Sequence, residues 1–147
     1  MKTNRLSIDP GLWATGIAVW PPEGGLPLPV TIRPKGDSWF ARLADLASKA
    51  APFLDHASAV AIEDFVSVYP KQRADSLKKL FTATGVLIGL ALARNIPVRT
   101  VCKGTETKAK TNAVVALFGK ARASQDARDA IYLGLLAGFH KPISEDT

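Results

Sequence analysis

The sequence predicts a mixed α/β fold, in which a three-strand antiparallel meander and two further parallel strands form one five-stranded sheet flanked by helices. Three observations lead there. Three short apolar runs punctuated by Pro and Gly open the chain, the apolar spacing changes to a helical period after Asp37, and strand-like runs then alternate with helical ones. A chain of 147 residues, 47% hydrophobic and 22% charged, buries about two-thirds of the surface its unfolded form exposes. One folded domain over residues 1–147 is expected, and the composition is far from that of a disordered chain.

The elements follow in order. Leu6, Ser7 and Ile8 form a strand-like run that stops at Asp9-Pro10-Gly11, and Thr15 to Trp20 form a second. Pro21, Pro22, Gly24 and Gly25 turn the chain into a third run, Leu28 to Ile32. Connections this short join antiparallel neighbours. Phe40, Leu43, Leu46, Ala47, Ala50 and Leu54 then recur at helical spacing, with Asp37 or Ser38 as the cap and Pro52 expected to kink or end the helix. Val60, Ala61 and Ile62 make a continuous apolar run, the pattern of a strand covered on both faces, and it stops at Glu63. Asp75 to Arg94 reads as a second long helix, in which Gly85 and Gly89 suit close packing against a neighbour. Pro97 to Val101 is a further strand. Lys108 to Phe118 is a helical stretch stopped by Gly119, and Ser124 caps a last helix running to about Phe139.

Charge and composition narrow the class. Nineteen Lys and Arg against thirteen Asp and Glu give a formal charge of +6, a balance that suits a polyanionic partner. Cys102 is the only cysteine, which excludes an intramolecular disulfide and an all-cysteine zinc site, and reads as a small residue near a strand end in a reducing compartment. The segment from Met1 to Pro10 lacks the pattern of a secretory signal. Val86 to Ala93, the most apolar stretch, is short of the roughly 20 residues that span a bilayer. The expectation is a soluble, cytoplasmic protein with no membrane partner.

The functional signal is where the carboxylates fall. Asp9 and Glu63 each terminate an apolar strand, while Asp126 and Asp129, three residues apart, share one face at the start of a helix. Taken singly each has an ordinary structural role: a turn former before Pro10, a strand-end charge, and helix-start acids favoured by the dipole. As a set they are harder to dismiss, because two separate apolar strands both stop at an acid. If the first and fourth strands are neighbours, all four meet at one sheet edge, where they would repel unless a cation sat between them. Oxygen-only ligands suit magnesium, with manganese able to substitute. Two such ions about 4 Å apart support in-line phosphodiester hydrolysis without a protein nucleophile. His56 and His140 lie outside these motifs, which makes a zinc hydrolase a poor fit.

Leu6-Ser7-Ile8-Asp9-Pro10-Gly11 followed by Thr15-Gly16 resembles the opening strand motif of the RuvC family of Holliday-junction resolvases. The Ala61-Ile62-Glu63 strand end and the Asp126-Ala127-Arg128-Asp129-Ala130 helix start are similar to that family's second and third acidic motifs, and all three occur in family order. The resemblance covers nearly the whole chain, and chromosomal and compact phage-type members both remain open. It implies a ribonuclease H-like fold, a homodimer, magnesium, and paired nicks in four-way DNA junctions. By motif position Asp9, Glu63, Asp126 and Asp129 are then the catalytic, metal-binding acids. Phe65 to Tyr69 matches the family's loop after the second acid, where an aromatic side chain inserts near the junction centre; Phe65 and Tyr69 are the two candidates, and either can instead belong to the core. Lys103 and Lys110 resemble residues that contact the backbone near the cut, with Lys108 competing for the role. Trp13, shortly after the first acid, either stacks on a base or packs on the sheet.

Setting four acids aside from thirteen leaves nine against nineteen bases. Lys71, Arg73, Lys78, Lys79, Lys103, Lys108, Lys110, Lys120 and Arg122 are the candidates for a phosphate-binding rim, many of which will be solvated surface charges. Two other readings compete: a ribonuclease H-like nuclease acting on flaps, forks or RNA–DNA hybrids with the same acids, and a non-catalytic junction-binding module. The helix from Leu80 to Leu92 is a candidate dimer interface or ordinary core.

Overall fold

The computed structural model describes residues 3–64, 74–102 and 125–144. They form β1 (Asn4–Asp9), β2 (Thr15–Trp20), β3 (Leu28–Ile32), α1 (Trp39–Leu54), β4 (Ala57–Glu63), α2 (Ala74–Ala93), β5 (Val98–Val101) and α3 (Gln125–Leu136). The helix expected over 108–118, the stop at Gly119 and the Ser124 cap lie outside these residues.

The strands make one five-stranded sheet in the order β3-β2-β1-β4-β5. The first three pair antiparallel as a meander, whereas β1 with β4 and β4 with β5 are parallel. This is the mixed sheet the sequence predicts. Strand alternation divides its side chains between two cores. Leu6, Ile8, Ile17, Val60 and Ile62 face α1 and α2, joining Leu43, Leu46, Leu54, Ala83, Leu87 and Ala91. Ala18, Trp20, Ala61 and Val101 face the other way and pack with Ala130, Ile131 and Leu133 of α3 and with Phe139.

The helix ends have identifiable causes. Ser38 caps α1, its side-chain oxygen accepting from the Ala41 N–H. Pro52 does not end α1, which continues to Leu54 and closes with the Asp55 N–H donating to Ala51 O. After α2, Asn95 adopts φ 56°, with Ile96 N–H donating to Ala91 O and Asn95 N–H to Leu92 O. After α3, Gly138 at φ 79° repeats the arrangement, with Phe139 N–H donating to Gly134 O. Both are Schellman stops, and the second ends α3 three residues before the expected Phe139.

Three packing expectations are corrected. Phe40 is not in the core but 72% exposed, while Leu43 and Leu46 of the same helix are buried. Gly85 and Gly89 are exposed and meet no neighbour among the described residues, since α2 buries Ala83, Leu87 and Ala91 instead. The apolar stretch of α2 also runs further than Val86 to Ala93: Ser76–Ala93 is long and apolar enough to cross a bilayer by length and composition alone. It packs on α1 and the sheet in this fold and leaves an uncovered outer face.

A candidate acidic site at the sheet edge

The site is built by register. Ile8 is paired with Ile62 in the parallel β1–β4 ladder, so the next residues, Asp9 and Glu63, end neighbouring strands side by side. Alternation places both on the α3 face, after Ser7 and Ala61. Glu63 is 3% exposed and Asp9 half-buried. Burying a carboxylate that far is costly unless charge or hydrogen bonds compensate it. The cost points to a functional reason for the residue.

The other two acids arrive on α3, and a glycine sets how closely. Gly16 pairs with Asp9 across the β1–β2 ladder. A Cβ added at Gly16 would lie 2.0 Å from the Asp126 carbonyl oxygen and 2.7 Å from the Ala127 nitrogen. The main chain of the first turn of α3 thus rests directly on the backbone opposite Asp9, an approach only glycine permits. Asp126 and Asp129 are half-buried, while Ala127 and Ala130, each next to one of them, are buried. Lower along the helix, Trp20 Nε1 donates to Ser7 Oγ at 2.8 Å, and Ser7 Oγ donates to Ala130 O at 2.5 Å. This buried chain ties β2, β1 and α3 together. A Cβ at Gly134 would meet the Trp20 ring at 2.2 Å, so the helix is fitted to that ring as well.

The β1–β2 loop is held by Thr15, whose hydroxyl accepts from the Gly11 N–H and donates to the Gly11 carbonyl. Beside it a cleft of about 480 Å³ is lined by residues 10–14, by Ser76, Lys79 and Leu80 of α2, and by Asp126. Trp13 stands 60% exposed at its rim, with the Arg42 guanidinium 4.1 Å from its ring centroid and Lys79 Nζ at 5.9 Å. Of the two readings for Trp13, packing on the sheet is excluded by this exposure.

The structure therefore brings Asp9 and Glu63 to adjacent strand ends and sets the Asp126 backbone against the strand beside them. Among the described residues, however, no three His, Cys, Asp or Glu side chains are gathered closely enough to hold a metal ion. The donor set remains chemically suited to a hard divalent cation, being all carboxylate. Phe65, Tyr69, Lys71, Arg73, Lys103, Lys108, Lys110, Lys120 and Arg122 lie outside the described residues. Lys78 and Lys79 are described; Lys79 lines this cleft and Lys78 a neighbouring one. Sequence reasoning missed Arg42 and Trp39, and quoted Gly16 and Ser7 in the opening motif without their packing roles. The exposed Trp39-Phe40 pair at a helix start was a visible signal, and the others depend on partners distant in sequence.

No family model and no curated protein matches the chain. Solved structures do. T. thermophilus RuvC in complex with Holliday junction substrate superposes with a TM-score of 0.72 at 16% identity, covering 95% of this chain and 94% of that one. A second Thermus thermophilus RuvC structure gives 0.73 at 19% identity, over 93% and 94%. The whole fold is thus shared with RuvC, as the sequence motifs imply.

Proposed function

We propose that this chain, which has the fold of RuvC from end to end, is a divalent-metal-dependent endonuclease that resolves four-way DNA junctions. One observation carries the reading: the ladder register puts Asp9 and Glu63 side by side at the ends of two parallel strands, on the face where α3 delivers Asp126 and Asp129. The neighbour whose fold matches over this length is solved on a Holliday junction. Asp9, Glu63, Asp126 and Asp129 would hold magnesium or manganese, turning inward as it binds. Such an ion supplies an activated water and neutralises charge building on the leaving oxygen. The chain's own part is to fix carboxylates on rigid elements, to place Lys79 beside a phosphate entering the cleft, and to shield the sheet edge from bulk water. Lys103, Lys108, Lys110, Lys71 and Arg73 would extend the backbone contacts, and Phe65 or Tyr69 would open the junction centre.

Cutting a two-fold symmetric junction twice calls for two sites, which a homodimer supplies. Phe81 and Leu92, 44% and 59% exposed, flank Gly85 and Gly89 on the outer face of α2. No charged residue interrupts α2 from Leu80 to Ala93. This patch meets its own copy across a two-fold axis, and the glycines let the two helices approach.

The deciding experiment compares a synthetic four-way junction with flaps, forks, RNA–DNA hybrids and linear duplex, with magnesium or EDTA. Paired symmetric nicks in the junction, lost in Asp9→Asn, Glu63→Gln and Asp129→Asn while junction binding persists, support the reading. Preferential cutting of another branched substrate moves the protein to a different ribonuclease H-like activity. Binding without cutting in any metal leaves a junction-binding module.

A further inference from the structure

The surface next to the acidic edge carries a feature the nuclease reading does not use. A second cleft, of about 440 Å³, is lined by Trp39, Lys78, Lys79 and Thr82. It shares Lys79 with the cleft that reaches Asp126, so the two are parts of one path from the acids to the start of α1. Its size is that of a site that takes a small molecule or a single building block of a polymer.

The residues along this path have one chemistry. Trp39 is 50% exposed, and its ring is braced edge-on by Phe40 at 6.3 Å and 86°, which leaves its face available. Trp13 is 60% exposed and gathers Arg42 and Lys79 around itself. Arg42 is fixed further by donating from Nη1 to the Pro34 carbonyl at 2.8 Å. Tryptophan is usually well buried; two exposed ones interleaved with three cations form the pattern of a single-strand binding groove, in which bases stack on aromatic faces and phosphates track cations. A duplex hides its base faces in its own stack and cannot use such platforms. An acidic protein surface would satisfy the cations but would leave the tryptophan faces without a planar partner.

We infer that this groove binds an unpaired stretch of single-stranded DNA running away from the acidic edge, with Trp39 stacking on a base and Lys78, Lys79 and Arg42 meeting its phosphates. The nuclease reading supplies which strand occupies it, namely the one leaving the cut site. Binding itself needs neither metal nor cleavage.

The test uses the intact protein in EDTA with a fluorescent oligothymidylate of about twelve nucleotides, inside the usual range of single-strand site sizes, beside a duplex of equal length. Wild type should bind the single strand more tightly than the duplex. Trp39→Ala should weaken that binding about 5- to 150-fold, the equivalent of one stacked base, and Trp39→Phe should restore much of it, which separates stacking from folding. Replacing Lys78 and Lys79 together by Gln should lower the slope of log affinity against log salt by about 1.4, or roughly 0.7 per lost phosphate contact on a single strand. Single-strand binding unchanged in both Trp39→Ala and the lysine pair, or duplex bound as tightly as single strand, overturns the assignment. Junction cleavage by the wild type in magnesium keeps these readouts apart from the nuclease reading: a wild-type protein that never cuts yet binds oligothymidylate through Trp39 retains the groove and loses the nuclease. One that cuts junctions yet ignores Trp39→Ala does the reverse.

Discussion

Replacing Gly16 by Ala tests the seating of α3 more directly than removing an acid does, because it moves two candidate ligands without changing either. The new methyl would begin 2.0 Å from the Asp126 carbonyl oxygen and 2.2 Å from its carbon. An ordinary contact needs at least 3.4 Å, so the first turn of α3 must withdraw by about 1.4 Å or the β1–β2 edge must deform. Overpacking of this kind costs about 1–3 kcal/mol, visible as a lower midpoint in urea unfolding with an unchanged slope. The withdrawal carries Asp126 and Asp129 away from Asp9 and Glu63. A misplacement near 1 Å at reacting groups costs on the order of 10²-fold in rate, so junction cleavage should fall by about that factor under conditions where the variant is fully folded. Gly134→Ala is the control: its methyl collides with Trp20 rather than with the acid-bearing turn, and should lose stability with a smaller loss of cleavage. If Gly16→Ala unfolds and cuts like wild type, α3 does not rest on β2 as described and the four-acid site loses its support.

Three further outcomes are expected. Ser7→Ala leaves the buried Trp20 Nε1 and Ala130 carbonyl without their shared partner, which should cost about 1–3 kcal/mol in urea unfolding; wild-type stability would mean that this chain of bonds is replaced at no cost. Phe81→Glu with Leu92→Glu places charge on the outer face of α2, and should give a monomer in sedimentation that nicks one strand without the paired second cut; a dimer unaffected by both changes would place the interface elsewhere. The Lys49 side chain and the Lys35 N–H, each 2.7 Å from Asp45 Oδ2, hold the Asp45 carboxyl below its ordinary pKa. A depressed carboxyl pKa stabilises the fold above the unfolded value, and that contribution is lost as pH falls through the folded one. Asp45→Asn should therefore lower the urea midpoint slightly at neutral pH, and the difference should shrink as pH falls and the carboxyl protonates in the folded protein; a gap that does not shrink in acid would assign the effect to shape.

Much of the fold could be read from the sequence because its signals are local. The Asp-Pro-Gly stop, the Pro and Gly turn after Trp20 and the apolar run into Glu63 each mark a strand end by composition of adjacent residues, and β2 and β3 fall on the expected positions. The pairing of Asp9 with Glu63 was legible for the same reason, once strand order was granted. Phe40 was misplaced because helical spacing says which residues share a face but not where the sheet beneath them ends. Gly85 and Gly89 signal a close approach without saying to what. Gly16 and Ser7 stand in the opening motif, but their packing roles were invisible, since a small residue inside a strand does not say what rests on it. Their importance comes from α3, more than a hundred residues later.

The tie between the first strand and the last described segment has a consequence for when the fold can close. Arg5 donates from one guanidinium nitrogen to the carbonyls of Phe139 and Lys141, the Gly25 N–H donates to the His140 carbonyl, and Ile143 N–H reaches Pro22 O at 2.8 Å. Together with Ser7 on Ala130, these contacts join residues separated by 115 to 136 positions. A sheet whose central strand is completed by such distant segments has high contact order and folds late. During synthesis the meander can form early, but two of the four acids and the wall behind Asp9 emerge only with residues 125–143. All five strands lie within residues 4–101, so the nascent chain would hold the full set of strands, with one face of the sheet still open, until α3 is made.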